Sequence, residues 1–247
     1  MKEKSAEPFV REVVLLRDRV ENWQRYPFSI PAVRNLESLT LHPQVTFLVG
    51  ENGTGKSTLI EAIAVAAGFN PEGGNKNLRF ATLPSESELH RYLRLLRGAR
   101  RPKRGFFLRA DIFFNLAIAV ERDPLILNTY GRFPHQERSL GQTFLALVKE
   151  RFGPDGLYIL DEPEAALSPQ HQIEFLAAFD RMARTDRCQI VVATHYPILL
   201  AYPHARIYVL SEEGAVETEY RRTEHFALTR DFLTHRERYL RHLLDEA

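Results

Sequence analysis

Eight residues, Gly50-Glu51-Asn52-Gly53-Thr54-Gly55-Lys56-Ser57, fit the spacing G-x-x-x-x-G-K-[ST]. The chemistry this spacing serves is phosphate binding. Glycines let the backbone pass close to phosphate oxygens. The N–H groups of the loop and the N-terminus of the following helix present partial positive charge to an anion. Asn52, Gly53, Thr54, Gly55 and Thr58 would line the phosphates. Lys56 would reach the β- and γ-phosphates of a nucleoside triphosphate, and the Ser57 hydroxyl would ligate magnesium. The pattern carries this meaning between a strand and a helix. Val45-Thr46-Phe47-Leu48-Val49 reads as a buried strand, and Leu59 to Ala67 reads as a helix. A chance glycine-rich turn does not account for those flanks.

A second chemical cluster, Asp161-Glu162-Pro163-Glu164, closes the apolar run Leu157-Tyr158-Ile159-Leu160. An unbroken apolar run of this length reads as a fully buried strand of a parallel sheet. An acid at its end can sit beside the phosphate loop of a neighbouring strand. Asp161 would hold magnesium through water, and Glu162 would polarise an attacking water as general base. An acidic turn at a strand end is common on its own; downstream of a phosphate loop it reads as catalytic.

The elements that must position these groups alternate. Residues 9–20 suggest a half-buried strand, and Leu39-Thr40-Leu41 a short second one. Residues 86–97 read as a helix with Leu89, Tyr92, Leu93 and Leu96 on one side. Phe106 to Ala110 reads as a strand, and Asp111 would cap a helix Ile112 to Val120. Residues 139–151 are helical, and Ser168-Pro169 starts a helix with Ser168 as its cap. Cys188 to Ala193 is a buried strand, 205–210 and 215–220 a hairpin, and the segment from Thr229 a charged helix. Strands alternating with helices predict a largely parallel sheet covered on both faces.

The 247 residues are 44% hydrophobic and 26% charged, with a net charge of +1. That is a globular balance with no global pull toward nucleic acid or membrane. One cysteine, Cys188, excludes an intramolecular disulfide and a multi-cysteine zinc site, and fits a reducing compartment. The longest apolar runs are too short to span a bilayer, and the charged N-terminus has no signal-peptide core. A cytoplasmic protein is expected. The nine histidines show no zinc spacing.

Together these residues resemble the ABC-class ATPases. The loop Gly50 to Ser57 is similar to the family's Walker A, and Leu157 to Glu162 to its Walker B and catalytic glutamate. Ala165-Ala166-Leu167-Ser168 resembles its D-loop. His195, after the strand Ile190 to Ala193 and Thr194, matches its switch histidine. Ser139-Leu140-Gly141-Gln142 resembles the family's signature, with Leu140 in place of the first glycine. The family's Q-loop glutamine has no counterpart between Gln44 and Gln136. Asp111, or else Arg109, would stand in. Tyr26 and Phe28 are the aromatics placed to stack on adenine, with burial in the core as the competing role.

The resemblance implies an α/β P-loop fold: a mostly parallel sheet flanked by helices, with an antiparallel N-terminal β part and a helical insertion. The whole chain, 1–247, would be one ATPase domain. Residues 1–70 and 136–247 would form the nucleotide-binding core and 71–135 a mainly helical insertion. It also implies magnesium-dependent ATP hydrolysis by a homodimer, with Glu162 and His195 catalytic, Ser57 and Asp161 at the metal, and Ser139, Gly141 and Gln142 acting on the partner's nucleotide. About eighty residues between Walker A and the signature leave no room for a long coiled-coil arm. The chain also resembles small stand-alone bacterial ATPases of the RecF-like and SMC-like group, which implies action on a nucleic-acid or protein partner. The alternative is the nucleotide-binding subunit of a membrane transporter.

The feature bearing on partners is His90 to Arg104, with Arg91, Arg94, Arg97, Arg100, Arg101, Lys103 and Arg104 and no acid. It reads either as a docking strip for nucleic-acid phosphates or an acidic protein, or as a solvated basic face.

Overall fold

The computed structural model describes residues 7–74, 87–110 and 139–244. Among them, the strands are β1 (Val10–Leu15), β2 (Ser38–Thr40), β3 (Val45–Val49), β4 (Leu93–Arg97), β5 (Arg104–Arg109), β6 (Gly156–Asp161), β7 (Gln189–Ala193), β8 (Arg206–Ser211) and β9 (Gly214–Thr218). The helices are α1 (Pro31–Arg34), α2 (Lys56–Ala66), α3 (Leu140–Arg151), α4 (Pro169–Asp180), α5 (Pro197–Leu200), α6 (Glu224–Thr234) and α7 (Arg236–Leu244).

Two sheets result. The larger runs β5-β6-β7-β3-β8-β9 and is parallel from β5 to β8, with β9 returning antiparallel as a hairpin. β3, β6 and β7 are buried at every position, which is why they read as unbroken apolar runs. Their side chains alternate between two cores. Leu48, Ile159 and Val191 face the core shared with α2 and the N-terminal strands. Phe47, Leu160 and Val192 face the core filled by Phe144 of α3 and Phe175 and Phe179 of α4. Both faces are therefore covered, and the functional groups collect where the strands end.

The smaller sheet, β2-β1-β4, is antiparallel. The buried Gln189 side chain is among those that tie it to the larger one. The Gln189 carbonyl accepts from the N–H groups of Phe9 and Val10, at 2.9 Å each, while its amide donates to the carbonyls of Val10 and His42 at 2.7 and 3.1 Å.

The helix expected over 86–97 is not formed. Glu88–Tyr92 is a short 3-10 turn, and Leu93–Arg97 is β4. Arginine and leucine favour helix intrinsically. Pairing with β1 overrides that, setting Leu93 opposite Leu15 and Leu95 opposite Val13. The arginines therefore do not form a helical stripe. The capped helix Ile112 to Val120, with Asp111, lies outside the described residues.

Candidate ATP site

The phosphate loop leaves the end of β3 and enters α2. Gly53 and Gly55 sit at φ 87 and 96, left-handed values that only glycine adopts without strain. A side chain at Gly55 would also strike Ile30, 2.7 Å from the added carbon. Lys56 is only 4% exposed, and its ammonium donates to the carbonyls of Gly50 and Glu51 at 2.8 and 3.0 Å. It lies across the mouth of the loop, holding two oxygens that an incoming phosphate would replace. Thr54 closes the turn through its hydroxyl to the Glu51 carbonyl at 2.8 Å, while Asn52 is exposed.

The strand-end acids reach this loop although β6 is not its immediate neighbour; β7 lies between β6 and β3. The Ser57 hydroxyl donates to Asp161 Oδ1 at 3.2 Å. Asp161 is 6% exposed. A hydroxyl and a carboxylate oxygen meeting beside an anion cradle are the hard-oxygen donors that magnesium takes, with water and phosphate filling the rest. These residues fit that ion.

Glu162 occupies the left-handed region at φ 49, ψ 51, a cost of about 1–2 kcal/mol for a residue with a side chain. Its N–H donates to the Ala193 carbonyl at 2.9 Å, which ties the kink to the end of β7. The kink aims Glu162 along the strand ends, where its Oε1 lies 3.5 Å from His195 Nδ1. Glu162 and His195 are each about one third exposed, open to a ligand.

Beneath them is Glu164, 3% exposed. One of its oxygens accepts from the Thr194 hydroxyl at 2.6 Å and from the His195 N–H at 3.4 Å. The other oxygen has no hydrogen-bond partner. Burial raises its carboxyl to about 7. From the other side, His225 at the start of α6 brings Nε2 to 3.3 Å from Glu51 Oε1, with its ring 6.2 Å from that of His195.

Sequence reasoning missed three of these groups. Glu164 was visible only as an acid in a turn, and Glu51 only as a variable position of the loop. His225 lies in a charged helix with no motif around it. None carries a spacing signal; tertiary packing alone brings them in.

The remaining expected residues fall as follows. Tyr26 is 59% exposed, with its hydroxyl 3.2 Å from Thr58 Oγ1 beside the loop. Phe28 is 3% exposed and packs edge-on to Tyr92, so it serves the core. Ser139 caps α3 in a capping box with Gln142, and Gly141 is buried. Arg109 donates to Glu61 of α2 at 2.6 Å. Arg91, Arg94, Arg97 and Arg101 are exposed. Arg100, Lys103 and Arg187 converge on Asp155. No helix among the described residues is long and apolar enough to cross a membrane.

Residues 19–102 match a family model described as an AAA domain. The chain is 26% identical over 168 residues to the thiamine import ATP-binding protein ThiQ of Photobacterium profundum, covering 61% of this chain and 67% of that protein. It is 26% identical over 211 residues to the zinc import ATP-binding protein ZnuC of Alkalilimnicola ehrlichii, covering 80% of this chain and 77% of that protein. A solved structure described as an inward-facing putative metal-chelate type ABC transporter aligns at 16% identity over 91% of this chain and 88% of that one, with a TM-score of 0.49. Motif order, strand order and the ATP-binding relatives agree in their likeness to the ABC-class P-loop ATPases.

Proposed function

We propose that the chain binds ATP with magnesium at the β3–α2 loop, hydrolyses the γ-phosphate, and uses the cycle to bring together and separate a pair of its own copies around a partner. The observation that carries the reading is the meeting of Ser57 with Asp161 at 3.2 Å while the strained Glu162 faces His195 at 3.5 Å. Lys56 and the loop N–H groups bind the phosphates, and Ser57 and Asp161 hold magnesium. When bound, that ion neutralises charge developing on the phosphate oxygens. Glu162 orients the attacking water and takes its proton, and His195 faces the γ-phosphate. Glu164 holds His195 from below through its backbone N–H. Tyr26, exposed beside Thr58, is the aromatic offered to adenine.

The deciding experiment is Glu162→Gln. It keeps the shape and loses the base, so ATP binding should persist while turnover falls by about a hundredfold or more. Hydrolysis at the wild-type rate would place the base elsewhere.

The partner follows from surface chemistry. The exposed Arg91, Arg94, Arg97 and Arg101 suit a polyanion, either nucleic-acid phosphate or an acidic protein. The relatives favour a second reading. ThiQ and ZnuC are import ATP-binding proteins, so a membrane-embedded partner subunit is the competing occupant. Co-purification of a membrane protein would select it. The single-domain reading and a cytoplasmic site of action belong to the same proposal; the segment 71–135 is not a mainly helical insertion where it is described, because β4 belongs to the smaller sheet and β5 to the larger.

A further inference from the structure

His225 is not part of any motif, yet it touches the phosphate loop. Its own position is fixed by packing. Thr223, fully buried, donates its hydroxyl to the Tyr220 carbonyl at 2.7 Å just before α6 begins. The Tyr220 and Phe226 rings then pack 4.5 Å apart. The His225 side chain is 16% exposed, whereas that of Glu51 is 73% exposed. Of the two partners, the histidine is the anchored one and the loop glutamate is the one held.

The contact gains importance when nucleotide arrives. Lys56 now donates to the carbonyls of Gly50 and Glu51. Phosphates draw its ammonium away; the Glu51 carbonyl then keeps its bonds from Thr54, and the Glu51 side chain its contact with His225. Four groups face this histidine: Glu51 and Lys56 of the loop region, His195 at the end of β7, and Glu224 beside it. Burial lowers the basicity of the ring, and its Nε2 lies 3.3 Å from Glu51 Oε1.

We propose that His225 is a positioning residue of the ATP site, holding the phosphate loop through Glu51 from the start of α6. This rests on the ATPase reading. It makes α6 a component of the nucleotide site. By reciprocity, ATP tightens the docking of that helix as much as the helix tightens ATP.

The test compares variants with wild type by calorimetry with ATP and by steady-state kinetics. His225→Phe keeps a ring of similar size without the donor. It should raise the ATP Kd about three- to fivefold, the range of one partly exposed polar contact, with kcat changed less than about twofold. His225→Gln, which restores an N–H at similar reach, should recover wild-type affinity. Glu51→Ala should match His225→Phe, and the double variant should be no worse than either alone. ATP should slow hydrogen exchange across 224–234 in wild type but not in His225→Phe. Unchanged affinity in His225→Phe, additive losses in the double variant, or a fall in kcat at constant Kd would each overturn the inference; the last would put His225 at the reacting phosphate. Should His225→Phe not fold, His225→Gln and Glu51→Ala carry the decision, and wild-type affinity in Glu51→Ala overturns the proposal. No ATP binding by wild type would instead sink the ATPase reading beneath it.

Discussion

Lys56 has two tasks in this geometry, and one substitution exposes both. It donates to the carbonyls of Gly50 and Glu51, and in the proposed mechanism it would supply the charge for the phosphates. Lys56→Ala should therefore weaken ATP binding by more than tenfold in calorimetry, because a charge-assisted contact contributes about 1.5–3 kcal/mol. Wild-type affinity in that variant would remove the loop from the mechanism. Glu164 makes a prediction about pH. Its carboxyl sits at about 7 in the folded chain, against 4.5 ordinarily. Between those values the folded form holds a proton that the unfolded form has lost. Stability contributed by this group is complete below pH 4.5 and is lost as pH rises toward 7, by at most about 3 kcal/mol. Glu164→Gln cannot titrate and still offers an oxygen to Thr194. Its denaturation midpoint should fall less than that of wild type between pH 5 and pH 8, and equal falls would show that Glu164 is not the titrating group.

At the scale of elements, β4 changes what the basic segment means. A helix would have gathered Arg91, Arg94 and Arg97 on one stripe. On the 3-10 turn and β4 they are spread along an exposed strand surface, and Arg100 and Lys103 are already paired with Asp155. The charge available to a partner is therefore smaller than a count of arginines suggests. If nucleic acid is the partner, log affinity should fall linearly with log salt. Charge reversal at Arg94, Arg97 and Arg101 should flatten that slope by about one unit for each phosphate no longer neutralised. Absence of DNA or RNA binding at low salt would leave an acidic protein or a solvated face. Gln189 carries a second prediction at this scale. Its four hydrogen bonds join the large sheet to the start of β1 and to the loop before β3. Gln189→Met keeps the volume and strands buried N–H and C=O groups, so unfolding free energy should drop by about 2–4 kcal/mol in urea. A loss below about 1 kcal/mol would mean that water replaces the side chain.

For the whole molecule, the segment expected to act as a signature does not bond to the phosphate loop of its own chain. Ser139 spends its hydroxyl on capping α3, and its backbone groups bond to Gln142 and Thr143, not to the phosphate loop. If the signature acts on a second copy, the assembly is two-fold and closed and stops at a dimer. Light scattering of Glu162→Gln at micromolar concentration should then report a monomer without nucleotide and a dimer with ATP and magnesium. Ser139→Arg should abolish the dimer while leaving ATP binding to the monomer. A monomer under both conditions would count against this assembly even with the loop confirmed.

Sequence alone determined the groups that short-range geometry dictates. A phosphate loop is a local object: its glycines, lysine and serine act within one turn of chain, so Gly50 to Ser57 could be read directly. The parallel core was legible for a related reason, since strands buried on both faces are mostly apolar, as β3, β6 and β7 are apart from Thr46, Asp161 and Gln189. The caps at Ser139 and Ser168 were equally local. Tertiary structure alone decided three things. It made residues 93–97 a strand, because pairing with β1 outweighs the helix preference of leucine and arginine. It placed β7 between the strand of the loop and the strand of the acids, yet still joined Ser57 to Asp161. It brought Glu164 beneath His195 and His225 onto Glu51, pairs far apart in the chain. Such contacts leave no periodicity or spacing to read, because packing across the fold, not the neighbouring chain, is what creates them.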